Sequence, residues 1–125
     1  MNDINISFSK SDENPDVSVI SVKGYVDTTT STDLEESLKR LLGKGQFDIV
    51  IDLGDVNYIS SAGWGIFVGE IKGVRAGNGD IKLASMRPDV REVFDLLEFN
   101  TLLTPYDSRG DALAAFEVDN RSELA

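Results

Sequence analysis

Ile4, Ile6 and Phe8 occupy every second position with polar residues between them, the period of a strand with one buried face. The run 17–22 alternates again and is rich in β-branched residues. It predicts a second strand, hairpinned to the first across the turn-forming stretch 11–16. Gly24 either ends that strand or allows a bulge in it. Leu34, Leu38, Leu41 and Leu42 then fall at helical spacing. The hydroxyl-rich run before them offers two caps, Thr30 with Asp33 or Thr32 with Glu35, each an oxygen followed three residues on by an acid. Lys39, Arg40 and Lys44 suit the negative end of that helix, and Gly43 and Gly45 stop it. Residues 47–53 read as a buried strand, 54–57 as a connector and 61–76 as a helix. A turn at 77–80 leads into a strand at 81–85. Pro88 suits the first turn of a third helix, which carries Val90, Val93, Phe94 and Leu97 inward. A short strand at 101–106 contains Pro105, which places it at an edge or a strand end. Ser108 can cap a last helix with Ala112, Leu113 and Phe116 on its inner side.

The order β-β-α-β-α-β-α-β-α argues for one α/β domain over residues 1–117. Its sheet is mixed, parallel over most of its width with an antiparallel opening hairpin. Residues 118–125 read as a polar C-terminal tail.

Composition narrows the chemistry. The chain has 125 residues, 41% of them hydrophobic, enough for a proper core. It has no cysteine and no histidine. Disulfides, zinc–thiolate sites and the usual base of a serine triad are therefore excluded, with most transition-metal sites. No metal, cofactor or catalytic residue is expected. The cluster Gly43-Lys44-Gly45 lacks the spacing and the Lys-Ser/Thr pair of a phosphate-binding loop. A net charge of -10 disfavours nucleic acids and anionic membranes, and it is compatible with a basic partner protein. No apolar run approaches the roughly 18 residues of a membrane span, and MNDINISFSK does not read as a secretory signal. The expected location is the cytoplasm.

The stretch NYISSAGWGIF places Ser60 and Ser61 where a strand hands over to a helix. The first N–H groups of a helix lack internal partners and carry partial positive charge, so this end suits a hydroxyl cap or a phosphate. Ser60 can cap the helix. A nucleophilic serine is excluded by the missing G-x-S-x-G frame and the missing histidine. A phosphorylation switch stays open, because a phosphoryl group at a helix start need not unravel the fold yet would upset a docked partner. Around the helix, Trp64, Phe67, Val68, Ile71 and Val74 gather on one face, with Gly65, Gly69 and Gly73 nearly opposite. Each interior glycine costs about 1 kcal/mol against alanine. Either a partner backbone comes close to this stripe, or the stripe packs closely within the monomer or is plainly tolerated.

Gly24-Tyr25-Val26-Asp27, a hydroxyl-capped helix, Ile49-Val50-Ile51-Asp52-Leu53, then Tyr58-Ile59-Ser60-Ser61-Ala62-Gly63-Trp64-Gly65 and the Pro88 helix together resemble the anti-sigma factor antagonists, the STAS domain family. The resemblance implies helices packed mainly on one side of the sheet and a non-enzymatic role in partner switching. Such a protein binds an anti-sigma factor that is a serine kinase, is released when that kinase phosphorylates it, and is restored by a serine phosphatase. The family motif is commonly Asp-Ser-Ser/Thr-Gly. Carried over, Ser61 is the acceptor and Gly63 the motif glycine, with Ser60 a second candidate in the usual aspartate position and Ala62 in place of the second hydroxyl. Asp27 matches an acidic residue near the acceptor. The implied partner surface comprises Asp27 and Thr28, Ser60, Ala62 and Gly63, and Gly65, Ile66, Gly69 and Gly73. The alternative is a STAS-type ligand-sensing or scaffold module without phosphorylation.

Overall fold

The computed structural model describes residues 4–10 and 14–124, with side chains as far as 118. Of the turn expected at 11–16, positions 11–13 lie outside the described residues, and the N–H of Val17 closes its far side on the carbonyl of Asn14 at 3.1 Å. Strand β1 (Ile4–Lys10) runs antiparallel to β2 (Val17–Val26). Helix α1 (Ser31–Gly43) carries the chain over to β3 (Asp48–Ile59), parallel to β2. Helix α2 (Ser61–Ala76) leads to β4 (Asp80–Ala84), and α3 (Pro88–Leu96) with a short 3-10 turn (Phe99–Thr101) leads to β5 (Thr104–Tyr106). Helix α4 (Arg109–Leu124) closes the chain and runs on through the boundary expected at 117. The strands lie in sequence order across one five-stranded sheet, parallel from β2 to β5.

Strand alternation divides the core between two faces. Ile20, Ile49, Ile51, Ile81 and Leu83 point towards α1, α2 and α3, where Leu34, Leu38, Phe67 and Phe94 cover them. Val19, Val50 and Ala84 point the other way, against Ala112 and Phe116 of α4. Three helices therefore cover one face and one covers the other, as expected of helices packed mainly on one side. Ser108 caps α4 as expected, its Oγ accepting from the N–H of Asp111 at 3.1 Å. Arg109 then anchors that helix to the sheet through Asp52 at 2.9 Å and Ser21 Oγ at 2.7 Å.

Several expectations need correction. Residues 54–57 are not a connector: β3 continues through them to Ile59, and Val56 is buried within it. Of the two parts offered to Gly24, the bulge is the one it takes, because β2 runs on through it to Val26. The two long strands keep pairing by shifting register at Ser21/Lys23 and at Gly24/Tyr25, where Gly24 takes a φ of 106°. That is the bulge glycine can supply. Neither threonine cap forms at α1. Thr30 turns its hydroxyl back to the carbonyl of Tyr25 (2.6 Å), and the Asp27 carboxylate receives the N–H groups of Thr29 and Thr30, both at 2.9 Å. On α3 only Val90 and Phe94 are buried; Val93 is 40% and Leu97 52% exposed.

Candidate functional site

The carboxyl ends of β2 and β3 lie side by side, so the turns that follow them meet at one sheet edge. The N–H of Ser60 donates to the carbonyl of Val26 at 2.7 Å and ties the two turns together. Asp27 and Thr28 thereby neighbour the start of α2. Thr28 is exposed, whereas Asp27 is half-buried and uses its carboxylate to fix the turn into α1.

Ser60 and Ser61 play separate parts. Ser60 is extended, with φ -77° and ψ 170°, and its Oγ accepts from the N–H of Gly63 at 3.2 Å. Its carbonyl receives the N–H of Trp64 at 3.0 Å, the first bond of the helix. It is an N-cap by geometry as well as by residue type. Ser61, the first residue of α2, is exposed, and its hydroxyl forms no hydrogen bond among the described residues. The N–H groups of Ser61 and Ala62, at the start of the helix, have no intrahelical partner.

Gly63, expected at the partner surface, is buried instead. A Cβ there would come within 2.6 Å of Val26 Cγ1 and 2.8 Å of Ile59 Cγ2. Its missing side chain lets α2 sit directly on the ends of β2 and β3, which sets the position of both serines. Gly65, Gly69 and Gly73 behave in the opposite way. All three are exposed, and a Cβ on any of them would have nothing within 4 Å. Close packing within the monomer does not account for them. Ala62 and Ile66 are half-buried, and Ile66 packs on the edge of the core.

A groove of about 490 Å³ opens beside Ser61. Asn57 and Tyr58 of β3 form one side, Val93 of α3 and Leu97 just past its end the other, and Trp64 part of its wall. Tyr58 is 50% exposed, and Leu96, next along α3, is 79% exposed. Trp64 stacks on Phe99 at 5.2 Å and meets Phe94 at 5.7 Å, so this wall is rigid and aromatic. Its indole Nε1–H has no partner among the described residues. Asp89 is the charged residue at the groove, and no lysine or arginine lines it. Residue-type reasoning missed Tyr58, Val93 and Leu97 as surface groups. Tyr58 carried a usable signal, as an aromatic at a strand end two residues before Ser60. Among the described residues no group of histidine, cysteine, aspartate or glutamate could hold a metal ion, and no helix is long and apolar enough to cross a membrane.

The family model of the STAS domain matches residues 9–112. BtrV of Bordetella bronchiseptica, which bears the name of an anti-sigma factor antagonist, is 35% identical over 97 residues, covering 78% of this chain and 84% of its own. Among solved structures, an anti-sigma factor antagonist from Mycobacterium paratuberculosis superposes with a TM-score of 0.81 at 26% identity, over 90% of this chain and 93% of that one. The anti-sigma factor antagonist SpoIIAA has the same fold in its unphosphorylated form, with a TM-score of 0.67 at 17% identity over 95% of this chain and 98% of that one. Its phosphorylated form gives 0.65 at 17% identity, over 88% and 99%.

Proposed function

This chain belongs to the STAS domain family of anti-sigma factor antagonists, and on that premise we propose that it works by partner switching with Ser61 as the switch. Unphosphorylated, it binds an anti-sigma factor with serine kinase activity. Phosphorylation of Ser61 releases that partner, and a serine phosphatase restores binding. The protein acts in the cytoplasm as a binding protein and catalyses nothing itself.

The observation that carries this reading is the division between the two hydroxyls. Ser60 Oγ is held by the N–H of Gly63, whereas Ser61 is exposed at the lip of an apolar groove. A phosphoryl group on Ser61 adds close to two negative charges and three acceptor oxygens. The helix N-terminus accommodates that charge through its unpaired N–H groups and its dipole. A partner seated over Tyr58, Val93 and Leu97 would instead face a new, strongly hydrated anion beside its apolar contact. Asp89 at the same groove adds like charge and no compensation. The fold therefore tolerates the modification and the interface does not. The exposed glycine stripe of α2 lies on the same helix and offers a surface free of side chains for the partner's backbone.

The test is incubation with the cognate kinase and ATP, followed by peptide mass spectrometry and a binding measurement. Phosphate is expected on Ser61, with loss of kinase binding. Ser61→Ala should stay bound under the same conditions, and Ser61→Asp should bind poorly from the start. Phosphate confined to Ser60, or to neither serine, would overturn the assignment. A small molecule that raises the melting temperature of a chain no kinase modifies would favour the sensing alternative.

A further inference from the structure

β1 is an edge strand of seven residues with one side of its backbone unpaired among the described residues. It contains no proline and no charge before Lys10 at its end, so it lacks the usual devices that blunt an edge. Its side chains towards α1 are Ile4, Ile6 and Phe8, and Phe8 is 44% exposed. The seam between β1 and α1 is therefore an open apolar channel rather than a closed packing surface.

The charges along this seam are segregated. At the Ile4 end it is lined by Asp33 and Glu36 of α1, with Arg40 one turn further along the helix where the two ends of the seam meet. At the Lys10 end it widens to about 330 Å³ and is lined by Lys10, Arg40 and Lys44, with no carboxylate. None of these five charged groups has an ion pair or side-chain hydrogen bond among the described residues. Helix C-terminal dipoles favour cations, which explains Arg40 and Lys44 in part. It does not explain why Lys10 joins them in a chain of net charge -10.

We propose that β1 pairs antiparallel with β1 of a second copy of this chain, joining two five-stranded sheets across a two-fold axis. A twofold through Ser7 sets Ile6 opposite the other copy's Phe8, and Ile4 opposite its Lys10. Side chains at even positions then share the α1 face in both copies, as the period of the strand requires. The same operation turns the acidic end of one seam onto the basic end of the other, twice over. A pattern that is bipolar along its length is self-complementary under a two-fold axis, whereas a parallel, in-register pairing of the two strands would set like charges together. The pairing supplies partners to an open strand edge, covers Phe8 and neutralises both charge clusters. It uses neither serine nor the groove beside Ser61, so it stands whether or not Ser61 is phosphorylated.

Sedimentation equilibrium of the full chain at low salt tests it. A concentration-dependent dimer is expected, weakened by added salt because part of its attraction is between exposed charges. Phe8→Lys and the pair Arg40→Glu with Lys44→Glu should each be monomeric while keeping the far-ultraviolet spectrum of a folded chain. The pair Asp33→Lys with Glu36→Lys should also be monomeric alone. An equimolar mixture of the two charge-reversed proteins should form a one-to-one heterodimer, because acid then meets base at both ends. A wild-type chain that stays monomeric throughout overturns the proposal. So does a dimer that Phe8→Lys leaves intact, or a pair of charge-reversed proteins that ignore each other.

Discussion

Ser60 and Ser61 differ by one position in the chain and by everything their hydroxyls touch. Removing the cap leaves the N–H of Gly63 without its acceptor. Ser60→Ala should therefore cost about 1 kcal/mol in chemical denaturation, the usual penalty for a lost serine cap. Ser61→Ala removes a hydroxyl that bonds to nothing described, and its stability should stay within about 0.5 kcal/mol of wild type. Urea melts of the two variants side by side decide it; equal losses would mean the hydroxyls share the cap. The cap at Ser60 was legible because a serine stood at a strand-to-helix junction. The start of α1 misled the same reasoning, because hydroxyls and acids crowd there. Asp27 takes the N–H groups of Thr29 and Thr30 ahead of the helix, and the Thr30 hydroxyl is turned to the carbonyl of Tyr25 instead of a helical N–H. Gly63 shows a further limit: a buried glycine and an exposed one read alike until the neighbouring strands are in place.

At the scale of elements, α2 carries both kinds of glycine on opposite sides. Gly63 faces the sheet, whereas Gly65, Gly69 and Gly73 face open space. A methyl group at Gly69 meets no neighbour and lowers the entropy of the unfolded chain. Gly69→Ala should stabilise the protein by about 1 kcal/mol. Gly69→Leu should likewise keep the melting temperature at or above wild type while weakening the kinase partner. A stabilised variant with unaltered affinity would take the stripe out of the interface. The alternation in β1 and β2 and the helical spacing in α1 and α2 were plain in the sequence. The far half of β3 was not, because Gly54, Asp55 and Asn57 are turn formers. Pairing with β2 overrode that preference, with the Asp52 carboxylate receiving the N–H of Gly54 at 2.9 Å as the strand continued. In α3 the spacing of Val90, Val93, Phe94 and Leu97 fits one apolar stripe. A helix of nine residues packed against β3 buries only the line through Val90 and Phe94, and the rest of the stripe becomes a wall of the groove.

At the scale of the molecule, the order of strands and helices followed from the alternation of two hydrophobic periods and the rule that such chains build parallel layers. What the order could not show was which loops meet, and the candidate site exists because two of them do. The charge distribution is a molecular property too. With 22 acidic and 12 basic residues, self-repulsion opposes the folded state. The ion pairs within α1 and α3, Lys39–Glu35 and Arg91–Asp95, are exposed and contribute only about 0.3–0.5 kcal/mol each. Arg109–Asp52 is better shielded and loses less to screening. Repulsion among many acids should outweigh these few attractions. Thermal stability should then rise from low salt towards physiological ionic strength, where screening acts over about 8 Å, and level off beyond it. Sodium chloride is the proper titrant, since sulfate would stabilise by exclusion from the surface whatever the charges. A melting temperature that falls instead would show that the ion pairs outweigh the repulsion. Edge pairing through β1 predicts the opposite dependence for association, so salt should strengthen each folded chain while separating the two copies. Melting curves at several protein concentrations resolve the two effects. The shift with salt at high dilution reports the fold, and the dependence on concentration reports the pairing.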